Sequence, residues 1–175
     1  MKVQRNSVVK FRKAELGDVP KLFELINRYV RKDVMLPRTM SDLYENVREF
    51  SVAVEGGRVL GCGALKFYNQ ELAEIRSLCV EPGGESHGVG SALLKLLLDE
   101  AEQFSLKKVF ALTLAPGFFE KCGFNETQRE KLPLKIWRDC MHCEKFSRCE
   151  ERAMLLELAA RRAMTTSKEV ILAEA

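Results

Sequence analysis

Nowhere in this chain do the roughly 18 uninterrupted apolar residues of a membrane span occur. The basic start, MKVQRNSVVKF, is not followed by the apolar stretch of a secretory leader. These two absences point to a cytoplasmic protein. An excess of one charge is also lacking: 28 Lys and Arg face 25 Asp and Glu, for a net charge of +3. That surplus is too small to indicate nucleic acid. No internal repeat is visible, and no Gly-Lys-Ser/Thr follows the glycine-rich stretch, which excludes a Walker loop. The expected partner is a small molecule, with no nucleic acid and no membrane, and it has to be argued from sites.

What is present is the composition of an ordinary globule, 46% hydrophobic and 30% charged over 175 residues. That length suits one domain with a real core. The expected boundaries are a flexible start over 1–7, a domain over 8–158 and a tail over 159–175, either helical or disordered.

Hydrophobic periodicity divides the domain into elements. VVKFRKA from Val8 reads as a strand. GDVPKLFELINRYVRK reads as a helix with Asp18 as N-cap and a stripe of Leu22, Phe23, Leu25, Ile26, Tyr29 and Val30. Ser41 is positioned to cap a second helix carrying Leu43, Tyr44, Val47 and Phe50. SVAVE and RVLGCGALKFY flank Gly56 and Gly57, the signature of a hairpin. LAEIRSLCVE is a further strand, and Val89, Ala92, Leu93, Leu96, Leu97, Ala101 and Phe104 recur at helical spacing. KKVFALTL, PGFFEKCGF and RAMLLEL then read as strand, short helix and closing strand. An early hairpin followed by strand-helix-strand alternation predicts an α/β fold, a mixed central sheet flanked by helices.

VEPGGESHGVGSALL joins a strand to a helix, and the unpaired first N–H groups of such a helix stabilise an anion. Gly88 and Gly90 let a pyrophosphate approach the backbone. With the strand AEIRSLCV before it and FFEKCGF one helix and one strand after it, this turn resembles that of the GCN5-related N-acetyltransferase (GNAT) superfamily. That signature reads Gln/Arg-x-x-Gly-x-Gly/Ala, and the resemblance covers Val8 to Leu158. It implies acetyl-CoA as co-substrate, bound by the turn Glu85, Ser86, His87, Gly88, Val89, Gly90 and Ser91. The backbone of Leu78, Cys79 and Val80 would pair with the pantetheine arm, and Phe119 would pack near the cofactor. Glu85 stands where the signature has Gln or Arg. A carboxylate about 6 Å from a phosphate costs on the order of 1 kcal/mol, so Glu85 is expected to turn to solvent.

The same resemblance makes Glu74 the general base for the acceptor amine, directly or through water. Cys79 is the residue an acetyl-enzyme route would use, although a cysteine in an apolar strand is usually inert packing. The tyrosine that serves many relatives as general acid is replaced by Phe119.

LPRTMSDLYENVREF, GCGALKFY, AEIRSLCV, PGFFEKCGF and the stretch LPLKIWRDCMHCEKFSRCEERAM are similar to the short, stand-alone N-acetylglutamate synthases of arginine biosynthesis. The absence of the kinase-like domain of longer synthases removes arginine inhibition through that domain from the expectation. Glutamate has two carboxylates, so its pocket should offer two cations, preferably an arginine that binds bidentately. Arg38 in the LPR motif is the first, and Lys66 and Arg76 are candidates for the second; strand alternation puts Arg76 on the face of Glu74.

Cys140 and Cys143 stand at CxxC spacing, with Cys149 beyond and His142 between. A structural zinc with Cys122 as fourth ligand, free or redox-responsive thiols, and a disulfide all remain open, and the second CxxC of the strong zinc pattern is missing. The expected activity is acetyl transfer from acetyl-CoA to the α-amine of L-glutamate in a ternary complex. The same chemistry on another small amine or a peptide terminus, and an acyl-CoA-binding sensor without turnover, are the alternatives. Many superfamily members form homodimers through their late strands; this sequence does not fix the oligomeric state.

Overall fold

A computed structural model describes residues 8–82, 88–132, 140, 143, 148–159 and 161. The expected flexible start over 1–7 and the tail from residue 162 onward lie outside the described residues. The elements run β1 (Lys10–Lys13), α1 (Val19–Val30), α2 (Met40–Glu45), β2 (Phe50–Glu55), β3 (Arg58–Phe67), β4 (Leu72–Val80), α3 (Val89–Gln103), β5 (Lys108–Thr113), α4 (Pro116–Lys121), β6 (Asn125–Thr127) and β7 (Arg152–Glu157). The strands form a seven-stranded mixed sheet in the order β1-β2-β3-β4-β5-β7-β6. Only β4 and β5 are parallel among the pairs whose register is defined, and that ladder covers Leu72–Glu74 against Lys108–Phe110.

The chain divides into two compact units. The first comprises Met1–Lys66 and Ile75–Glu100. In it α1 has the expected stripe, with Val19, Leu22, Leu25 and Ile26 buried. Asp18 precedes the helix but makes no side-chain cap. Its carboxylate instead takes Arg12 at 2.6 and 3.1 Å and the amide of Glu15 at 2.9 Å. Asp18 therefore closes the short 3-10 turn Leu16–Asp18 rather than opening α1.

The second helix also starts and stops elsewhere than the sequence suggests. Thr39, not Ser41, is the N-cap, its hydroxyl accepting from the amide of Asp42 at 3.1 Å. The helix ends at Glu45; Val47–Glu49 is a 3-10 turn and Phe50 opens β2. A fully buried Phe50, flanked by Ser51, Val52 and Ala53, satisfies strand burial on both faces, which overrides the helical spacing.

Gly56 and Gly57, at φ 55° and 82°, make the predicted tight turn between β2 and β3. Gly61 and Gly63 serve a different end. A Cβ on Gly63 would meet Leu78 Cδ1 and Leu97 Cδ1 at 2.9 Å each, and one on Gly61 would meet Leu93 Cδ1 and the carbonyl oxygen of Cys79 at 3.0 Å. The two glycines thus bring β3 close to β4 and to the buried face of α3, which is formed by Val89, Leu93, Leu94, Leu97 and Leu98.

The second unit comprises Phe67–Glu74 and Ala101–Ala175. Phe104, placed by periodicity on the buried stripe, lies past the end of α3, is 61% exposed, and packs against Phe67 with centroids 4.9 Å apart. β5 and β7 pair antiparallel over six residues, and β6 adds three more pairs to β7. α4 ends in a Schellman motif: Gly123 at φ 90° donates to Glu120 at 3.0 Å, and the amide of Phe124 to Phe119 at 3.0 Å. The Cys-Gly-Phe of the sequence is that cap, with Phe124 folded onto Phe119.

Candidate active site

In the first unit the end of β4 is anchored before the glycine-rich turn begins. The Tyr29 hydroxyl of α1 donates to the Val80 carbonyl at 2.6 Å, and the Glu81 carboxylate takes Arg28 at 2.6 Å and Arg58 at 3.3 Å. Glu85, Ser86 and His87 lie outside the described residues. Gly88 is at φ 72°, and nothing lies within 4 Å of where its Cβ would be. The amide of Ala92 donates to Gly88 at 2.9 Å, so the amides of Val89, Gly90 and Ser91 come before the first α-helical bond. A left-handed glycine thus opens the 15-residue α3, whose first amides lack intrahelical partners, the kind of end that stabilises an anion.

Within β4, Ser77 takes φ 49°, so strict side-chain alternation stops just after Arg76. A left-handed serine in a strand costs on the order of 1 kcal/mol or more and turns the backbone leading into Leu78, Cys79 and Val80. Leu78 is half-buried beside Gly63, while Cys79 and Val80 are buried. Cys79 Sγ lies 3.6 Å from Cys62 Sγ; that hydrogen bond, then burial, pushes the Cys79 thiol well above its ordinary range. The raised pKa holds the thiol in its protonated form.

The three cations expected to bind substrate gather around a carboxylate that the sequence did not single out. Burial pushes the Glu49 carboxyl up, and Lys66, Arg38 and Arg76 pull it down in that order, with Asp42 adding to the rise. Arg38 leaves the loop before α2 with its side chain only 13% exposed. Nη1 donates to Asp42 at 2.7 Å, the guanidinium carbon lies 5.9 Å from the centre of the Phe50 ring, and Nη2 is buried with no hydrogen-bond partner. A buried donor without an acceptor costs roughly 1 to 3 kcal/mol, and a carboxylate would remove that cost. Lys66 and Arg76 are half-buried. Nothing in local spacing marks Glu49, because it comes beside Lys66 and Arg76 through pairing of β2, β3 and β4.

In the second unit Glu74 is 7% exposed and accepts a hydrogen bond from the Tyr68 hydroxyl at 2.7 Å. Sequence reasoning missed Tyr68, although the rule that buried carboxylates need donors would have directed a search for a nearby phenol. Phe119 is 5% exposed, edge-on to Phe118 and Phe124 at 5.2 and 5.1 Å.

Among the described residues no three His, Cys, Asp or Glu side chains form a group able to hold a metal. Cys140 packs with Leu72, Phe110 and Leu132, and Cys149 accepts from Arg129 Nη2 at 3.1 Å. Cys122, Cys140, Cys143 and Cys149 are half-buried and in no disulfide; His142 lies outside the described residues. The zinc expectation thus has no support from the described side chains, because an apolar cluster and an arginine occupy two of the ligands.

The model of the Acetyltransferase (GNAT) family matches residues 19–124. An uncharacterized N-acetyltransferase of Chlorobaculum tepidum is 39% identical over 151 residues, covering 84% of this chain and 95% of its own. An amino-acid acetyltransferase of Mycobacterium tuberculosis is 39% identical over 129 residues, 72% of this chain and 74% of its own. The N-acetylglutamate synthase of Neisseria gonorrhoeae, solved with coenzyme A and N-acetyl-glutamate, matches with a TM-score of 0.79 at 27% identity. That match covers 88% of this chain, which spans only 36% of the synthase chain. The glycine turn at a helix start, the mixed seven-stranded sheet and the family match over most of α1 to α4 make this chain a member of the GNAT family of acetyltransferases.

Proposed function

We propose that this enzyme transfers the acetyl group of acetyl-CoA to the α-amine of L-glutamate, forming N-acetylglutamate for arginine biosynthesis. The observation that carries the choice of acceptor is Arg38, a buried guanidinium with one donor unmet, near a carboxylate, Glu49, on which Lys66 and Arg76 also act. A carboxylate of the acceptor would meet that donor. The Neisseria gonorrhoeae synthase holding coenzyme A and N-acetyl-glutamate, and the Mycobacterium tuberculosis amino-acid acetyltransferase, support the same reading.

In this reading acetyl-CoA is the co-substrate, and the amides of Val89, Gly90 and Ser91 with Gly88 receive its pyrophosphate. Arg38 orients the acceptor carboxylate, and Glu74 takes the proton of the ammonium so that the amine can attack the thioester carbonyl. The carbon–sulfur bond then breaks and CoA leaves as thiolate. The raised pKa of the buried Cys79 thiol favours direct transfer over an acetyl-enzyme.

CoA release measured across the amino acids tests this. Glutamate is expected to give the highest kcat/KM. Equal rates with other amino acids would move the assignment to another amine. Binding of acetyl-CoA without release above hydrolysis for any amino acid would leave a sensor that keeps the fold without turnover.

A further inference from the structure

The phenol of Tyr68 is built into the chain rather than resting on it. The Tyr68 amide donates to the Leu72 carbonyl at 2.9 Å, closing the connection between β3 and β4. Inside that connection Asn69 Oδ1 accepts from the amides of Glu71 and Leu72 at 2.8 and 2.9 Å. The Tyr68 ring packs on Phe110 with centroids 5.7 Å apart, and Phe110 is the β5 register partner of Glu74. Backbone, side-chain and ring contacts thus place the hydroxyl, which reaches Glu74 Oε2 at 2.7 Å.

We infer that Tyr68 is a positioning residue for the general base: its hydroxyl, donating to Glu74 Oε2, orients the carboxylate and favours its ionised form. The inference rests on the reading of Glu74 as that base. A phenol donating to a carboxylate stabilises the charged form, which a buried carboxylate needs at neutral pH. The proton balance is simple. The ammonium gives one proton to Glu74 before the amine attacks, the second leaves nitrogen as the tetrahedral adduct collapses and goes to the departing CoA thiolate, and Tyr68 keeps its own throughout.

Other groups face Glu74 as well. The Cys140 thiol, in the same apolar cluster as Tyr68, Leu72 and Phe110, lies in the field of the Glu74 carboxylate, with Arg129, Glu151 and Cys149 around it. Burial pushes the Cys140 thiol up, so it stays neutral in the range where a carboxylate titrates. Arg76 follows Glu74 by two positions on the same strand.

The test compares Tyr68→Phe and Glu74→Gln by pH profiles of kcat/KM for CoA release. Tyr68→Phe removes a donor to the charged form, so the acid limb is expected to move up by about one pH unit, with kcat near neutrality falling about tenfold. The KM for acetyl-CoA should stay within twofold (about 0.4 kcal/mol), and raising the pH should recover most of the lost rate. Glu74→Gln should remove the limb. An unmoved limb in Tyr68→Phe beside a strongly impaired Glu74→Gln overturns the positioning role and keeps the base. A Glu74→Gln variant as active as the parent overturns both. If Tyr68→Phe does not fold, ring-fluorinated tyrosine at position 68 keeps the shape and makes the phenol a stronger donor. The limb should then move to lower pH, and a limb that stays put refutes the inference.

Discussion

Arg38 holds an unmet donor in a nearly dry place, and the consequence is specific to substrate binding. Arg38→Ala removes the guanidinium that a carboxylate would satisfy, so the KM for glutamate is expected to rise roughly tenfold or more, with the KM for acetyl-CoA little changed. Arg38→Lys should not restore it, because a single ammonium cannot keep the Asp42 contact and also place a donor where Nη2 stands. Steady-state kinetics with each substrate varied in turn checks both. Asp18 belongs to stability alone. The Arg12 hydrogen bond, against burial and with help from the Glu15 amide, holds its carboxyl below the ordinary range. A depressed folded pKa stabilises above the unfolded value of about 4, and that stabilisation is lost as pH falls through the lower folded value. Asp18→Asn should thus cost about 1 kcal/mol at pH 7, where Arg12 is partly solvated, and progressively less toward pH 2. Urea unfolding of both proteins at the two pH values measures the difference.

At the scale of elements, β3 shows how two missing side chains position three others. Gly63→Ala would push into Leu78 and Leu97, both within 2.9 Å of the new methyl, so β3 and α3 must part or two leucines must leave their rotamers. Overpacking of this kind costs about 1 to 3 kcal/mol, and the midpoint of chemical unfolding should fall with an unchanged slope. The order of strands and helices, the Gly56-Gly57 turn and the α4 cap were legible in the sequence, because periodicity and positive φ are local demands. The end of α2 was not. Val47 and Phe50 continue a helical spacing, yet strand pairing of Phe50 with Ala64 decides their state. The same holds for Phe104, whose spacing fits the stripe of α3 although the helix stops at Gln103.

For the whole molecule, binding of the co-substrate should appear as stability. Acetyl-CoA at about 100 times its dissociation constant adds about 2.7 kcal/mol, which for a chain of this length raises the melting temperature by roughly 5 to 10 °C. A thermal melt with and without acetyl-CoA measures it, and no rise at saturating ligand would count against the glycine turn as its site. By itself the sequence determined the order of elements and the turn at Gly88, because each depends on neighbours a few residues away, and the alternation of those elements pointed to the mixed sheet. It also supplied the chemistry of Arg38, Lys66, Arg76 and Glu74 as candidates. Only the tertiary structure decided that these cations surround Glu49, that Tyr68 holds Glu74, and that Cys79 is a buried thiol beside Cys62. Those relations depend on strand register and on how the chain folds back between strands, and sheet pairing brings together residues whose separation along the chain carries no fixed spacing.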